Sequence, residues 1–381
     1  MVRKRSPVRV RPRAFILILD LKAHSERLKK VIEILKKGGI VALPTDTVFG
    51  FVTPYWSLEG LERIYKIKRR ERKKRMGIFV AEKEDVSKFA KNLTETRKRL
   101  IYSLWPGEIT FLFKAKKSVP EYLIHPVKKT ISIRIPSHPL ILRLCKEVGP
   151  LIQTSVNISG EKDIIEYKEV LKKFGNEIDY VYPQDAQNKM PSTILDLSRY
   201  PFKLLRKGPI TLPQIENALL RKIKIDGKIK TNILFVCTGN TCRSPMAMGI
   251  LYHLLPRKLR EKINVKSAGT SAIDGFPISK ETLFILEKDY RVNLTHLRTQ
   301  SFKREHLDWA DFIYVMERKH LREIQKMGYY EKTKLLCYQD KLKEIPDPFG
   351  KKISEYRKVS QIMERCIKKI VKDLKWRYDI R

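Results

Sequence analysis

Two α/β domains in tandem are what this 381-residue sequence predicts. The chain is longer than one typical domain and suits two or three. Its hydrophobic fraction of 42% is enough to bury two cores. Short apolar runs of strand length are interspersed with stretches of helical periodicity along the whole chain. In the first part the succession is irregular, which predicts a twisted, curved-sheet α/β domain over 14–220. In the second it reads strand, helix, strand, helix, which predicts a doubly wound parallel sheet over 231–381. Between them 221–230 is short, basic and contains a glycine, as a linker would be.

Composition narrows the classes further. The five cysteines are scattered and odd in number, with no metal-ligand spacing. No disulfide framework is expected, and a reducing, cytoplasmic setting is. The longest wholly apolar candidate, Ala14 to Leu19, is far short of the run of about 18 residues that spans a bilayer, so no membrane partner is expected. The net charge of +38, from 80 basic and 42 acidic residues, points to anionic partners such as nucleotides, phosphoproteins or RNA, or to a general richness in lysine. Met1 to Arg13, basic and without periodicity, reads as a disordered tail or as an upstream start.

Taken in order, Ser25 caps a helix carrying Leu28, Val31, Ile32 and Leu35, which stops at Gly38 and Gly39. The strand Ile40 to Leu43 leads into Pro44-Thr45-Asp46-Thr47-Val48-Phe49-Gly50. A helix over Leu58 to Lys68 follows, turning Leu61, Ile64 and Tyr65 inward. It runs into Lys66 to Arg75, eight of whose ten residues are basic, either a solvated face or the lining of a phosphate site. Further strands are expected at Ile78 to Val80, Ile109 to Phe113, Ile131 to Ile135, Leu151 to Gln153, Tyr180 to Tyr182 and Thr193 to Leu197. Arg134 lies inside one of them and must face solvent or pair with an anion, because burying it alone is costly. A last helix is expected over Thr211 to Leu220.

Within this order stand Pro44-Thr45-Asp46-Thr47, Lys68-x-Arg70, Trp105-Pro106-Gly107, Arg134-Ile135-Pro136, Thr154-Ser155-Val156-Asn157-Ile158-Ser159-Gly160, Pro191-Ser192-Thr193-Ile194 and Leu205-Arg206-x-Gly208. Over about Ala23 to Leu220 the chain thereby resembles the YrdC-like threonylcarbamoyl-adenylate synthases. The resemblance implies a reaction of L-threonine, bicarbonate and ATP that yields threonylcarbamoyl-adenylate and pyrophosphate for tRNA modification. It also implies the tRNA-modification machinery as partner and contact with tRNA or double-stranded RNA. It assigns ATP to Lys68, Arg70, Ser155, Asn157, Ser192 and Arg206, and threonine to Thr45, Thr47 and Arg134. The residue types suit this. Lys68 and Arg70 can neutralise a triphosphate as pyrophosphate leaves, and the hydroxyls and amide can bond its oxygens. Mg2+ would enter with ATP, held by phosphates and water, so no protein metal site is expected. The chain departs from the family pattern at Glu71, Arg75 and Glu108, where prolines are usual, at Val156 for alanine and at Val52 for glycine. A module that holds nucleotide or tRNA without turnover is the competing reading.

In the second part the apolar run Ile233 to Val236 feeds Cys237-Thr238-Gly239-Asn240-Thr241-Cys242-Arg243-Ser244-Pro245. A strand entering a short loop with a cysteine at its start and an arginine six positions later can wrap a tetrahedral oxyanion in backbone N–H groups. A helix starting near Ser244 would point its positive end there, and Arg243 adds a planar two-pronged donor. In that field the Cys237 thiol is expected to ionise below its ordinary value and act as nucleophile. A strand at Val265 to Ser267, a helix over Glu281 to Lys288, a strand at Phe312 to Met316 and a closing amphipathic helix over Ser360 to Trp376 follow.

This part resembles the low-molecular-weight protein-tyrosine phosphatases across Thr231 to Leu374, through the cysteine loop, Ser267-Ala268-Gly269, Ala310-Asp311 with Met316, and Asp347-Pro348. The resemblance implies that Cys237 is phosphorylated, that Arg243 clamps the phosphate and that Ser244 bonds the thiolate. Thr238, Gly239, Asn240, Thr241 and Cys242 complete the loop, with Asn240 shaping it. Asp347 would protonate the leaving group and then activate water, with no cofactor. Cys242 either forms a protective disulfide with Cys237 or is a small filler. Thr241 with Asp347-Pro348-Phe349-Gly350 is similar to the protein-arginine phosphatases of this fold, so phosphoarginine is favoured over phosphotyrosine on phosphorylated proteins.

Overall fold

A helix over 25–36 opens the described chain and buries Val31 and Leu35. The computed structural model describes residues 25–338 and 344–380, so the expected leader at Met1 to Arg13 lies outside the described residues. The chain divides into two units between Ser192 and Thr193.

The strands of the first unit are β1 (Val41–Leu43), β2 (Gly50–Pro54), β3 (Gly77–Phe79), β4 (Ile109–Lys114), β5 (Thr130–Arg134), β6 (Leu151–Ser155) and β7 (Tyr180–Val181). They lie in the order β4-β5-β3-β6-β2-β1-β7. β3 runs parallel to β5 and β1 to β7, while the other neighbours are antiparallel. The mixed sheet matches the expected class. β1, β2 and β3 are buried along their whole length, so they read as apolar runs rather than alternations. One core gathers Val31, Leu35, Val41, Leu43, Phe79, Ile141, Leu144 and Leu151. Val52 belongs to it too, and Val156 is equally buried, so both departures from the family pattern serve packing.

Turn chemistry positions the site. β1 and β2 pair as an antiparallel hairpin, Leu43 opposite Gly50, and its connection carries Thr45, Asp46 and Thr47. Ser57 caps the helix Leu58–Ile67 by accepting from the Gly60 amide, which brings Lys68 to the helix end. The helix Pro139–Val148 starts on its proline and ends at Gly149, whose φ of 93° needs glycine.

The second unit begins with β8 (Thr193–Asp196), β9 (Lys203–Arg206) and β10 (Lys224–Ile225). β9 runs antiparallel to β8 and parallel to β10, so the stretch read as a linker contains a short strand. The helix expected over Thr211 to Leu220 is Leu212–Leu219, with Thr211 and Gln214 forming a capping box. Buried Arg377 ties this strip to the C-terminal helix Ile353–Arg377, bonding Glu216 at 2.5 and 2.9 Å, Asp373 at 2.8 Å and the Ile223 carbonyl at 3.3 Å. Removing one partner of so buried a network typically costs about 3–5 kcal/mol.

Next come β11 (Thr231–Cys237), β12 (Ile263–Gly269), β13 (Phe312–Val315) and β14 (Thr333–Leu335), in the order β12-β11-β13-β14 and all parallel. This is the expected doubly wound sheet. Cys237 ends its first strand, where chain order reverses between β11 and β13 and ligands of such sheets bind. One expectation is corrected. Cys337 and Cys366 form a disulfide, Cα to Cα 5.3 Å, joining the segment after β14 to the C-terminal helix. Their separation of 29 residues carries no local signature, and only the fold brings them together.

Candidate active sites

The cysteine loop runs from the end of β11 to the helix Arg243–Leu254. Cys237 Sγ is 3.1 Å from Ser244 Oγ. Asn240, at φ 54°, donates from Nδ2 to Ser244 Oγ at 2.8 Å and Ser267 Oγ at 3.0 Å, and its Oδ1 accepts the Gln300 amide at 2.8 Å. Its side-chain amide thus braces the loop against Ser267 and Gln300. Gly269 closes the other wall, since a Cβ there would come within 2.4 Å of the Thr238 carbonyl oxygen. The Ser-Ala-Gly segment is therefore needed for close approach.

The state of the thiol corrects an expectation. Burial pushes the Cys237 thiol up, and this outweighs the Ser244 hydroxyl and amide, the Arg243 charge and the Asn240 amide, all of which favour the thiolate. Two of those donors also have other partners. Ser244 Oγ also lies 3.2 Å from the Ala268 carbonyl, so its one proton has another acceptor besides the sulfur. Arg243 is engaged by carboxylates, Nη1 with Glu317 Oε1 at 2.5 Å and Nη2 with Asp347 Oδ2 at 2.5 Å. An anion arriving in the loop would compete with Asp347 for the guanidinium.

Cys237, Thr238, Gly239, Thr241, Cys242, Arg243 and Asp347 line one cleft of about 450 Å³, with Ile273, Phe276 and Phe349 also on its walls. Asp347 accepts the Phe349 amide at 3.2 Å, which sets the Asp-Pro-Phe turn. The Cys242 thiol is free and buried, with Tyr356 Oη at 3.3 Å and Ser279 Oγ at 3.5 Å.

In the first unit Lys68 is buried, and its ammonium donates to the Ser155 carbonyl, to the Asn157 carbonyl at 2.8 Å and to Asn157 Oδ1 at 2.6 Å. Ser155 Oγ bonds the same Oδ1 at 3.0 Å, so three of the expected ATP residues form one cluster. Burial, then the charge of Arg70, pull Lys68 down to about 7 against Asp163. Arg70 is half-buried, its Nε on the Lys74 carbonyl at 2.8 Å. The basic run divides between an inward and a solvated side. Lys68 and Arg70 turn inward, while Arg72 pairs with Glu62, and Lys73 and Lys74 pair with Glu71 on an exposed face.

The expected threonine residues form a second cluster. Arg134 donates to Thr47 Oγ1 at 3.0 Å, Asp46 Oδ1 at 2.6 Å and the Gly107 carbonyl at 3.1 Å, and Thr45 and Thr47 hydroxyls are 2.9 Å apart. Arg134 thus takes the anion-pairing alternative, with Asp46 also bound by Ser137 amide and hydroxyl at 2.8 and 2.9 Å. Burial pulls Arg134 down, opposed by Asp46 and then Glu108. Glu108 accepts from Asn188 Nδ2 at 2.8 Å, and the amides of Gln187 and Asn188 bond the Thr45 and Thr47 carbonyls. Ser192 is buried with its hydroxyl 2.9 Å from Thr110 Oγ1. Arg206 is exposed on β9, in the other unit. Among the described residues no group of three or more His, Cys, Asp or Glu could hold a metal ion.

Comparison with known proteins now adds to this geometry. Residues 33–208 match the family model Sua5_yciO_yrdC, described as Telomere recombination, and 232–378 match Low molecular weight phosphotyrosine protein phosphatase. The threonylcarbamoyl-AMP synthase of Enterobacter sp. strain 638 is 31% identical over 172 residues, 44% of this chain and 90% of its own. The chain belongs to the threonylcarbamoyl-AMP synthase family. P. abyssi Sua5 complexed with L-threonine is 19% identical and covers 92% of this chain and 95% of its own at a TM-score of 0.50, a likeness of fold. The low molecular weight protein tyrosine phosphatase from T. tengcongensis is 34% identical over 38% of this chain and 100% of its own, at a TM-score of 0.36. By family match, the synthase is fused here to a low molecular weight phosphatase domain over residues 232–378.

Sequence reasoning did not single out three residues at these sites. In the synthase region Asp46 neutralises Arg134, and a buried arginine required such a carboxylate. In the phosphatase region Glu317 and His320 lie beside Arg243 and Thr238, and Glu317 follows Met316 directly. Burial pushes Glu317 up, but the hydrogen bond and charge of Arg243 outweigh it and hold its carboxyl below the ordinary value.

Proposed function

We propose that the protein is a cytoplasmic bifunctional enzyme. Its synthase region, assigned to 14–220, joins L-threonine, bicarbonate and ATP into threonylcarbamoyl-adenylate and pyrophosphate for tRNA modification. Its phosphatase region, from 231 onward, dephosphorylates proteins through a phosphocysteine, with phosphoarginine favoured over phosphotyrosine.

The observation that carries the first activity is the Lys68, Ser155 and Asn157 cluster on residues of the family motifs. Lys68 and Arg70 supply positive charge to the triphosphate, and Thr45, Thr47 and Arg134 receive threonine. Ser192 and Arg206 are assigned to ATP on the resemblance alone. Mg2+ would enter with the nucleotide and offset its charge, with no protein ligand set of its own. Pyrophosphate release should require both threonine and bicarbonate, and release without either would overturn the assignment.

Cys237 carries the second activity, at a cleft that Arg243 and Asp347 also line. Once phosphate has displaced Asp347 from Arg243, the Cys237 thiol passes its proton to that carboxylate; the thiolate attacks phosphorus, the bond to the side-chain nitrogen or oxygen breaks, and Asp347 gives the proton to that atom. Asp347 then takes a proton from water as it attacks the phosphocysteine, releasing inorganic phosphate. The preference for phosphoarginine rests on Thr241, whose hydroxyl can hydrogen-bond a guanidinium as an aliphatic side chain cannot. Thr241→Ile should lower the ratio of phosphoarginine to phosphotyrosine turnover, read on matched peptides. An unchanged ratio would remove the preference while leaving the phosphatase.

A further inference from the structure

We propose that His320 is a positioning residue of the phosphate loop, holding Thr238, the residue after the nucleophile, through a hydrogen bond from its imidazole. The assignment rests on the phosphatase reading of Cys237. His320 is fully buried in the first turn of the helix Arg318–Lys326, on an element the nucleophile does not share. Its Nδ1 accepts the Glu317 amide at 3.2 Å, which puts the ring proton on Nε2. That nitrogen lies 2.9 Å from Thr238 Oγ1 and donates to it. Thr238 Oγ1 in turn receives Arg243 Nη2 at 3.5 Å, and Arg243 Nη1 returns to the Glu317 carboxylate at 2.5 Å.

The four residues close a ring around the oxyanion loop: Glu317 to His320, His320 to Thr238, Thr238 to Arg243, Arg243 to Glu317. The ring works only with a neutral imidazole, since a protonated ring could not accept the Glu317 amide. Burial supplies that form by pulling His320 down to about 4, outweighing the pull of Glu317 in the other direction. His320 does not itself line the cleft; it reaches it only through Thr238. Its effect on chemistry therefore runs through the orientation of the Thr238 segment, whose amides face developing charge on phosphorus.

The test uses the full chain and an aryl phosphate, with Cys237→Ser as the control for covalent turnover. His320→Ala should lower kcat about tenfold or more with KM within about twofold, because aligned loop donors act in the transition state. His320→Gln, which can place a donor near the position of Nε2, should recover kcat to within about threefold of the parent. Thr238→Val removes the same bond from its other end and should match His320→Ala. It serves also where the alanine variant fails to fold. The assignment is overturned if His320→Ala or Thr238→Val keeps kcat within about twofold, or if glutamine loses as much as alanine at equal Tm. Absence of Cys237-dependent turnover in the parent protein would instead overturn the phosphatase reading itself, and this assignment with it.

Discussion

Each region of this chain buries a cation at its anion site, and the two are held in opposite ways. Arg243 of the phosphatase loop lies between two carboxylates, Glu317 and Asp347, each at 2.5 Å. Lys68 of the synthase lies among oxygens that carry no net charge, the Ser155 and Asn157 carbonyls and the Asn157 amide. Desolvation acts on both, but only the arginine has paired charges to offset it. A guanidinium is charged at any working pH, whereas an ammonium in a neutral cradle falls to about 7. The phosphatase loop thus keeps a fixed cation whose field is spent on carboxylates until phosphate arrives. The synthase region keeps a cation with no carboxylate bonded to it, whose charge is marginal near neutral pH.

The widest separation of the two sites is expected from Cys237→Ser. Hydrolysis of an aryl phosphate should fall by about 10⁴-fold or to background, since the serine hydroxyl is a far weaker nucleophile. Pyrophosphate release should stay within about twofold. Retention of hydrolysis would sink the covalent mechanism, and loss of both activities would show that the sites are not independent.

Exchanging the cation tests the cradle. In Lys68→Arg the planar guanidinium cannot satisfy three acceptors arranged around a compact ammonium, so threonine-dependent pyrophosphate release should drop about 100-fold at unchanged Tm. A smaller loss, under about threefold, would mean that charge alone suffices and that the carbonyl geometry is incidental.

On the phosphatase side, Glu317→Gln removes one of the two charges on Arg243 while keeping an acceptor. Charge-assisted hydrogen bonds contribute about 1.5–3 kcal/mol, so a fall in kcat of about tenfold is expected as the guanidinium loses its hold. Substrate KM should fall or stay level, because the phosphate meets less competition. A rise in KM without change in kcat would reassign Glu317 to substrate binding.

Which of these features the sequence discloses depends on how far apart the partners stand. The Cys237 to Ser244 loop is contiguous, so its strand, turn and helix were legible, as was the parallel order of the second sheet. A loop-shaping role for Asn240 was legible through the likeness of motifs. The bracing by Glu317 and His320 was not, because a Glu and a His on an amphipathic helix look like ordinary solvated residues until the helix is set against the loop. The same holds for Cys337 and Cys366, which have no joint pattern in the chain. The expected low value for the Cys237 thiol failed for a related reason. The loop's donors were legible, but the burial of the sulfur, which outweighs them, arises only when the fold closes over the loop. In the first unit the motifs marked Lys68, Ser155 and Asn157, while Asp46 stood unremarked inside a motif whose threonines drew attention.

The smallest expected effect bears most directly on the contrast between the two cations. With Lys68 near 7, the free site is about half protonated at pH 7 and about one-tenth protonated at pH 8. If the ammonium form binds the triphosphate, ATP affinity should weaken about fivefold over that interval. Below pH 6 the site is fully charged and the affinity levels off. Binding raises the lysine's affinity for its proton, so at pH 8 the complex should take up close to one proton per ATP, measurable by calorimetry in buffers of different ionisation enthalpy. Phosphate binding to the Arg243 loop should show no such step traceable to its cation, because a guanidinium does not titrate there. A flat ATP affinity from pH 6 to 8 without proton uptake would mean that the three oxygen acceptors keep Lys68 charged despite its burial, and the difference between the two sites would then be one of geometry alone.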